Sequence, residues 1–262
     1  SSGYIEQITH FFDKDGNFTT KITKAGVVDF GVLLGMTLDE NGNLYVADEK
    51  NRCIYIFTAD LDFLTKWMVV EGKLFTPVDI TFDGVENFYV IDKATNSVLI
   101  VNKEGKAIDT LFKNPPPDLK PASLSRVAFC NDKVFVTDES KSIVIFWDYK
   151  NKRYDKFGKK GSGKGEFLSP KGIVGTSTGR VYIVDSGNSR IELFDPNFNF
   201  IKEWGIKDLE PGQLIFPKGV GIGLNSEIYV SDSAQSVIAK FGSSGIPIKK
   251  ISKMGLYDGM LY

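Results

Sequence analysis

The chain has 262 residues, of which 42% are hydrophobic and 25% charged, as in an ordinary globular protein. Its 32 basic and 33 acidic residues give a net charge of −1, which excludes a globally basic nucleic-acid or membrane binder but not a local charged patch. No uncharged apolar run approaches the roughly 18 residues that a transmembrane helix needs.

The first predicted elements are two strands, within residues 4–12 and 18–22, joined by a polar turn at residues 13–17. They match the third and fourth strands of the repeat that follows, for which residues 191–204 are the nearest analogue. A half sheet at one end of a chain leaves an exposed edge unless the other end covers it. We therefore predict that residues 254–262 complete this sheet, although they are too few for two full strands.

One segment then recurs five times: an apolar strand that ends in an aspartate, a polar turn, and a second strand. Consecutive copies of the aspartate are separated by 44, 46, 47 and 47 residues. Such a spacing is typical of repeat architectures, in which each unit packs on the next. The five aspartates are Asp48, Asp92, Asp138, Asp185 and Asp232.

Each copy divides into four short strands separated by polar turns, with no helical pattern between copies. This is typical of a propeller blade, so the predicted fold class is all-β, a six-bladed β-propeller of four-stranded antiparallel blades, with five blades as the alternative. One domain would span residues 1–262, with one blade shared between the N- and C-termini. The predicted blades are residues 32–71, 74–113, 122–158, 168–207 and 215–252, plus a partial blade from residues 4–26 and 254–262.

The junctions between the last copies carry a more specific signature. Residues 157–173 and 204–220 both run from an aromatic-Gly pair through a Gly-containing segment to Pro-Lys-Gly and an aliphatic residue. Together with residues 184–191, which read Val-Asp-Ser-Gly-Asn-Ser-Arg-Ile, they resemble the NHL-repeat propeller family. The resemblance implies a six-bladed toroid. That family includes RNA-binding domains, extracellular sensor domains, interaction scaffolds and a metal-dependent lyase, so the fold does not decide the function.

The repeated aspartates have two candidate roles. An aspartate at a strand end can accept hydrogen bonds from the backbone N–H groups of the following turn, and one such residue per blade fits this structural role. The alternative is a calcium site in a central channel, which needs several oxygen ligands that converge on one point. Strand-end aspartates lie too far from a propeller axis for that, so the structural role is favoured and no metal ligand is predicted.

Residues 158–165, Gly-Lys-Lys-Gly-Ser-Gly-Lys-Gly, come close to the phosphate-binding GxxxxGK[ST] motif. A glycine replaces the magnesium-binding hydroxyl and no helix follows, so an inter-blade loop is the favoured interpretation. Lys159, Lys160 and Lys164 nevertheless belong to a basic stretch, residues 150–171, with eight basic residues against two acidic ones. These lysines form either a solvated rim or a binding surface for an anionic partner.

Alignment on the aspartates predicts which residues surround the mouth of the propeller. One mouth position is occupied by Leu34, Val78, Ser125, Lys171 and Lys218, and the next by Gly35, Asp79, Arg126, Gly172 and Gly219, with a one-residue gap in the third blade. The mouth would be apolar on the first two blades and cationic on the last three. We predict that Arg126, Lys171 and Lys218, with Asp79 in the same ring, help to bind an acidic ligand or partner. Lysines whose stems cover the rim while their ammonium groups stay in water would give the same sequence.

The reactive residues of the chain argue against catalysis. The single histidine, His10, falls in the partial blade, whereas a Ser-His-Asp or Cys-His site would need it at the channel. Cys53 and Cys130 lie far apart in apolar strands and are predicted to be buried free thiols. A calcium-dependent enzyme of the lactonase or lyase type stays the alternative, because a calcium-carboxylate site needs only Asp, Glu and Asn.

These observations predict a non-enzymatic scaffold that binds a protein or peptide partner, with an acidic partner as the specific hypothesis. No catalytic residue, cofactor or metal is predicted. RNA is a disfavoured partner because only five of the 32 basic residues are arginine. The chain begins at Ser1 without a methionine, and a periplasmic or secreted location is expected, with the cytoplasm as the alternative. The sequence does not indicate an oligomeric state.

Overall fold

The computed structural model of the chain describes residues 9–13, 17–69, 74–205 and 212–251. The described residues form two compact units, the first ending at Asn114 and the second beginning at Pro115. Strands make up nearly all of the regular structure in these ranges. No helix of the described part of the chain is long and apolar enough to cross a membrane.

Two small hairpins open the first unit. Strand β1 (Thr9–Phe12) pairs antiparallel with β2 (Phe18–Ile22), so the predicted hairpin is present where the chain is described. A second hairpin, β3 (Lys24–Ala25) with β4 (Val28–Asp29), turns at Gly26, whose φ of +62° suits glycine. The other parts of the predicted shared blade, residues 4–8, 14–16 and 254–262, lie outside the described residues.

Two four-stranded antiparallel sheets follow in the first unit. Blade one consists of β5 (Leu33–Leu38), β6 (Leu44–Asp48), β7 (Cys53–Phe57) and β8 (Phe63–Trp67). Blade two consists of β9 (Pro77–Phe82), β10 (Phe88–Asp92), β11 (Ser97–Val101) and β12 (Ala107–Leu111). In each blade the strands pair in chain order, which is the predicted arrangement.

Three more sheets of the same kind form the second unit. Blade three consists of β13 (Leu124–Cys130), β14 (Lys133–Asp138), β15 (Ile143–Asp148) and β16 (Arg153–Phe157). Blade four consists of β17 (Pro170–Gly175), β18 (Val181–Asp185), β19 (Arg190–Phe194) and β20 (Phe200–Trp204). Blade five consists of β21 (Pro217–Ile222), β22 (Ile228–Asp232), β23 (Val237–Phe241) and β24 (Pro247–Ile251). Two short 3-10 helices, η1 (Pro117–Leu119) and η2 (Ser186–Asn188), precede β13 and β19 respectively.

The sequences of the strands explain which strands of a blade are buried. The second and third strands are almost wholly apolar, and every residue of β6 and β7 is buried. Runs of branched and aromatic residues suit strands that are covered on both faces. The fourth strand is an edge, and in β8 only Trp67 is buried while Lys66 is exposed. Lysines on an outermost strand discourage pairing with a further strand.

Aromatic side chains fill the space between neighbouring blades of the second unit. Phe146 of blade three and Phe194 of blade four belong to one buried cluster, together with Phe167 from the segment between them. Trp204 of blade four and Phe241 of blade five belong to the next cluster. Burial of each such side chain contributes about 1.5–3 kcal/mol, so the interfaces between blades are a main source of stability.

The strand-end aspartates have the predicted structural role. Asp48 accepts a hydrogen bond from the N–H of Asn51 in the following turn, at 2.8 Å, and another from the N–H of Gly31 before the blade, at 2.6 Å. The same two-sided arrangement occurs at Asp92, Asp138 and Asp232. Each of these carboxylates fastens the segment that enters its blade to the turn between the second and third strands.

The one-residue gap predicted in blade three corresponds to a shorter loop between its first two strands. Strands β13 and β14 are joined by Asn131 and Asp132, whose φ values of 51° and 57° are those of a two-residue type I′ turn. The first two strands of the other blades are joined by five residues. Leu124 nevertheless lies opposite Asp138, so Ser125 occupies the position that the alignment predicted.

Candidate functional site

The second unit brings the three predicted cations to one end of its innermost strands. Lys171 and Lys218 each follow the proline that pairs with the strand-end aspartate of their blade. Their strands approach closely, since a Cβ on Gly172 would lie 2.7 Å from the carbonyl oxygen of Lys218. The hydroxyl of Thr137 accepts the N–H of Arg126 and donates to the carbonyl oxygen of Lys171. The backbones of Arg126 and Lys171 are therefore neighbours.

The ammonium group of Lys171 is paired within the protein. Its Nζ lies 2.8 Å from Oε1 of Glu139, which also accepts the hydroxyl of Ser169. Burial favours the protonated carboxyl, but the donors Lys171 and Ser169 and the charge of Arg126 outweigh burial and hold the pKa of Glu139 below its usual value. An ionised carboxylate therefore balances Lys171, and this mouth is less cationic than the sequence indicates.

Lys218 has a different environment. Its side chain is exposed, and its Nζ lies 5.7 Å from the ring centroid of Phe216, which is a cation–π distance. No ion pair joins it to a carboxylate of the described residues. Lys218 is consequently available to an acidic group from another molecule.

Large apolar side chains are exposed in the segments that lead into blades four and five. Their exposed fractions are 38% for Leu168, 49% for Ile215 and 42% for Phe216. The segment of η2 links Leu168 to Ile215. The N–H of Gly187 in η2 donates to the carbonyl oxygen of Leu168 at 2.8 Å. The hydroxyl of Ser189, just after η2, donates to the carbonyl oxygen of Ile215 at 2.7 Å. We call Leu168, Ile215, Phe216 and Lys218 together the blade-four/five patch.

The fold does not require apolar side chains at two of these positions. Leu168 and Ile215 each donate their backbone N–H to the strand-end aspartate of their own blade, at 2.7 and 2.6 Å. The equivalent N–H groups of blades one and three belong to Gly31 and Ala122. Because glycine and alanine serve equally well, the exposed side chains of Leu168 and Ile215 need an explanation other than folding.

Asp79, the acidic residue predicted at the mouth, lies in the first unit. Its side chain is only 6% exposed, and its carboxylate occupies the space beside Gly35, where no Cβ would fit. The structure does not present this carboxylate at an accessible surface, because the side chain packs against the innermost strand of the neighbouring blade. The expected contact of Asp79 with a partner therefore lacks a geometric basis.

The basic loop at residues 158–165 already binds a carboxylate of the same chain. Glu166 accepts the N–H of Gly163 at 2.9 Å and forms an ion pair with Lys159 at 3.1 Å. These two donors hold the pKa of Glu166 below its usual value. An N–H group that a phosphate would need is thus occupied, which agrees with an inter-blade loop.

The other two lysines of this loop have separate surroundings. The Nζ of Lys164 lies 5.7 Å from the ring centroid of Phe200 in β20. Lys160 is exposed, and its backbone forms an isolated bridge with Phe167. The loop therefore does not direct its three ammonium groups at one shared ligand position.

A buried arginine whose role was not evident from the sequence holds this loop in place. Arg190 is only 5% exposed. Its guanidinium donates to the carbonyl oxygens of Ser162 at 3.0 Å, Gly163 at 2.9 Å and Glu166 at 2.8 Å. The loop thus wraps around a charged side chain of blade four.

Three carboxylates surround the same guanidinium. Asp185 lies 2.9 Å from Nε of Arg190, Glu192 lies 3.2 Å from Nη2, and Glu203 pairs with Nη1. Blade four alone has this cluster among the five blades. The equivalent positions to Arg190 and Glu192 are Ile143 and Ile145 in blade three and Val237 and Ala239 in blade five. The signal in the sequence was a charged pair at positions where the other blades carry uncharged residues.

Glu192 is the member of the cluster whose hydrogen bonding is least complete. Its side chain is fully buried, Oε1 accepts the N–H of Gly165 at 3.2 Å, and Oε2 has no hydrogen-bond partner among the described residues. Burial raises the pKa of Glu192 from 4.5 to about 7, against the opposing charge of Arg190. This carboxyl group therefore changes its charge near neutral pH.

The other reactive residues to consider are the potential metal ligands, the two cysteines and the single histidine. Within the residues that the structure describes, no group of three or more His, Cys, Asp and Glu is arranged to hold a metal ion. Cys53 and Cys130 are buried free thiols, as predicted. Burial raises the pKa of the Cys130 thiol to about 11, so this sulfur is protonated at neutral pH. His10 lies in β1, with its ring 5.8 Å from that of Phe18.

The carboxylate of Asp232 positions the patch, and its replacement should loosen it. Asp232 is 1% exposed and accepts the N–H groups of Ile215 and Phe216. Asp232→Asn places an NH2 group opposite one of these two donors, so we expect the free energy of unfolding in urea to fall by about 1–3 kcal/mol. Asp195→Asn, in a more exposed turn, is the matched control and should cost less. Equal losses at both sites would contradict the positioning role.

Comparison with known protein families supports the fold. A family described as a 6-bladed beta-propeller matches residues 118–213, which is less than half of the chain. No curated protein matches the chain in sequence.

Solved structures match most of the chain at low sequence identity. Virginiamycin B lyase from Staphylococcus aureus is 13% identical, with a TM-score of 0.64 over 96% of this chain and 90% of that one. A protein of unknown function from Bacteroides caccae is 13% identical, with a TM-score of 0.67 over 95% and 91%. A chain of the nidogen/laminin complex is 13% identical, with a TM-score of 0.65 over 84% and 80%.

These similarities show the fold alone: the chain is an all-β β-propeller with four-stranded antiparallel blades. The similar structures include a lyase, a luciferin-regenerating enzyme and a member of a protein–protein complex. The fold therefore fits both enzymes and binding modules, and the function has to be argued from the residues of this chain.

Proposed function

We propose that this propeller is a non-enzymatic interaction module that binds a protein partner through the blade-four/five patch. The observation that carries the proposal is the exposure of the Leu168 and Ile215 side chains. At both positions the backbone N–H group binds the strand-end aspartate, and the side chain takes no part in that hydrogen bond. Large apolar side chains clustered on a solvent-exposed surface are typical of protein interfaces, because binding a partner removes their apolar area from water.

The patch is also held in a fixed shape. The backbones of Leu168 and Ile215 are each hydrogen-bonded to a buried aspartate. Gly187 of η2 is hydrogen-bonded to Leu168, and Ser189, just after η2, is hydrogen-bonded to Ile215. A surface that is ordered before binding loses little conformational entropy when a partner docks. This rigidity favours a preformed recognition surface.

The enzymatic alternative, a metal-dependent lactonase or lyase, is compatible with the similarity to virginiamycin B lyase. The described residues offer no metal-binding group of three or more His, Cys, Asp and Glu to which such chemistry can be assigned. The exposed apolar side chains of the blade-four/five patch are the observation that favours the interaction module.

Three further features belong to the same proposal. Six blades are supported by the description of the matching family, and a blade shared between the termini is supported by the two-stranded sheet of β1 and β2. One domain over residues 1–262 accounts for both. A periplasmic or secreted location stays a prediction.

Site-specific photo-crosslinking tests the proposed surface. A photoreactive amino acid replaces Ile215 in the patch or, as the matched control, Leu224, which is fully exposed in the turn at the other end of β21. In native extract we expect position 215 to capture a discrete protein that position 224 does not capture. The same products at both positions, or none at position 215, would reject the proposed surface.

A further inference from the structure

We propose that the blade-four/five patch recognises a peptide segment in which an apolar side chain stands within a few residues of one carboxylate. This inference rests on the proposed function and names the chemistry of the partner. The apolar side chain would pack against Leu168, Ile215 and Phe216, and the carboxylate would pair with Lys218.

The charge of the partner follows from the pairing of the cations. Lys171 is balanced by Glu139 and Lys159 by Glu166, whereas Lys218 has no ion pair with a carboxylate of the described residues. One available ammonium group beside apolar side chains complements one carboxylate. It does not complement a polyanion, which needs a row of unpaired cations along its backbone.

The stacking of Lys218 on Phe216 adds to this selectivity. A cation held 5.7 Å from a ring centroid is partly positioned before a ligand arrives. Its ammonium group lies next to the apolar surface, so a carboxylate that reaches it is partly shielded from water. A charge-assisted hydrogen bond in such surroundings is stronger than one at an open surface.

The apolar contact has a defined position as well. The 3-10 helix η2 lies between the segments that carry Leu168 and Ile215, and its Gly187 has no side chain. A Cβ at Gly187 would lie 2.6 Å from Cγ of Leu168. The side chain of Leu168 therefore packs closely against the backbone of Gly187, which fixes its position, and the 38% of it that stays exposed is the part that an incoming apolar group can contact.

Labelled peptides of defined sequence test the proposal. One set of twelve-residue peptides carries Leu or Phe one to three residues from a single Asp, a second set has Lys in place of that Asp, and a third has Ala in place of the Leu or Phe. Fluorescence anisotropy measures their binding to the full chain and to three variants. Lys218→Met removes the charge, Lys218→Arg keeps it, and Lys160→Met removes an exposed lysine outside the patch.

We expect members of the first set to bind at least about tenfold more tightly than their counterparts in the other two sets. Lys218→Met should abolish the preference for Asp over Lys, while Lys218→Arg and Lys160→Met should retain it. Equal binding of the Asp and Lys sets, or equal loss in Lys160→Met, would overturn the role of Lys218. If no set binds while position 215 still captures a protein, the peptide chemistry is wrong and the proposed function stands. Failure of the capture itself would reject the proposed function.

Discussion

Arg190→Met should lower the free energy of unfolding by about 3–5 kcal/mol, the largest effect that we expect from a single substitution in this chain. The guanidinium is buried and compensates Asp185 and Glu192, which are both fully buried. Removal of one partner from a buried ionic cluster leaves charge without compensation. The carbonyl oxygens of the 158–166 segment would lose their donors as well.

Urea unfolding at neutral pH measures this effect, with Arg180→Met as the matched control. Arg180 belongs to the same blade but is exposed, so its replacement should change stability by no more than about 0.5 kcal/mol. A loss below about 1 kcal/mol in Arg190→Met would show that the cluster does not stabilise blade four.

Glu192→Gln should change how stability depends on pH. In the folded protein burial raises the pKa of Glu192 from its ordinary 4.5 to about 7. Between these two values the folded state binds the proton more tightly than the unfolded state does. The contribution of Glu192 to stability is therefore fully present below pH 4.5 and is lost as the pH rises to about 7. Glutamine stays neutral and avoids this loss.

The stability of Glu192→Gln relative to the unmodified protein should consequently rise with pH. Between pH 5 and pH 8 the difference in unfolding free energy should grow by about 2–3 kcal/mol in favour of the variant. Urea titrations of both proteins at several pH values measure it, and the comparison cancels groups that the two proteins share. A difference that is constant over this range would contradict ionisation of the buried carboxyl near neutral pH.

The regular part of the fold was predictable because it repeats. Alternating strands and turns that recur with one aspartate per copy indicated four-stranded blades, and the structure confirms the register of the innermost strands. Even the gap in blade three was visible, since a two-residue turn at Asn131 and Asp132 shortens one hairpin. Local turn chemistry and periodicity are properties of neighbouring residues, so they can be inferred from one sequence.

The candidate site was only partly predictable because its chemistry depends on contacts between distant residues. Lys171 was placed correctly at the end of its strand, but its partner Glu139 lies 32 residues away in the sequence. The alignment therefore suggested a cationic mouth where the structure has an ion pair. The exposure of Leu168 and Ile215 was missed for a related reason, because apolar residues at the start of a blade are ordinarily expected to be buried.

The cluster around Arg190 illustrates the same limit. The sequence shows that Arg190 follows the strand-end Asp185 by five residues. No neighbouring residue indicates that the arginine side chain turns inward and binds a loop about 25 residues upstream. Comparison of equivalent positions shows the anomaly, since the other blades carry uncharged residues there. Departures of one repeat from its neighbours are therefore a useful signal for specialised interactions.

If this propeller binds a protein through the blade-four/five patch, the exposed apolar side chains of the patch should account for much of the affinity. The most direct test is the affinity of the protein captured at position 215 for the unmodified chain and for the double variant Leu168→Ser/Ile215→Ser. Leu224→Ser/Ile246→Ser is the matched control, because both residues are exposed in turns outside the patch. We predict that the patch variant binds at least about tenfold more weakly while the control binds as the unmodified chain does. Equal affinity of the patch variant and the unmodified chain, with both folded, would contradict binding through this patch.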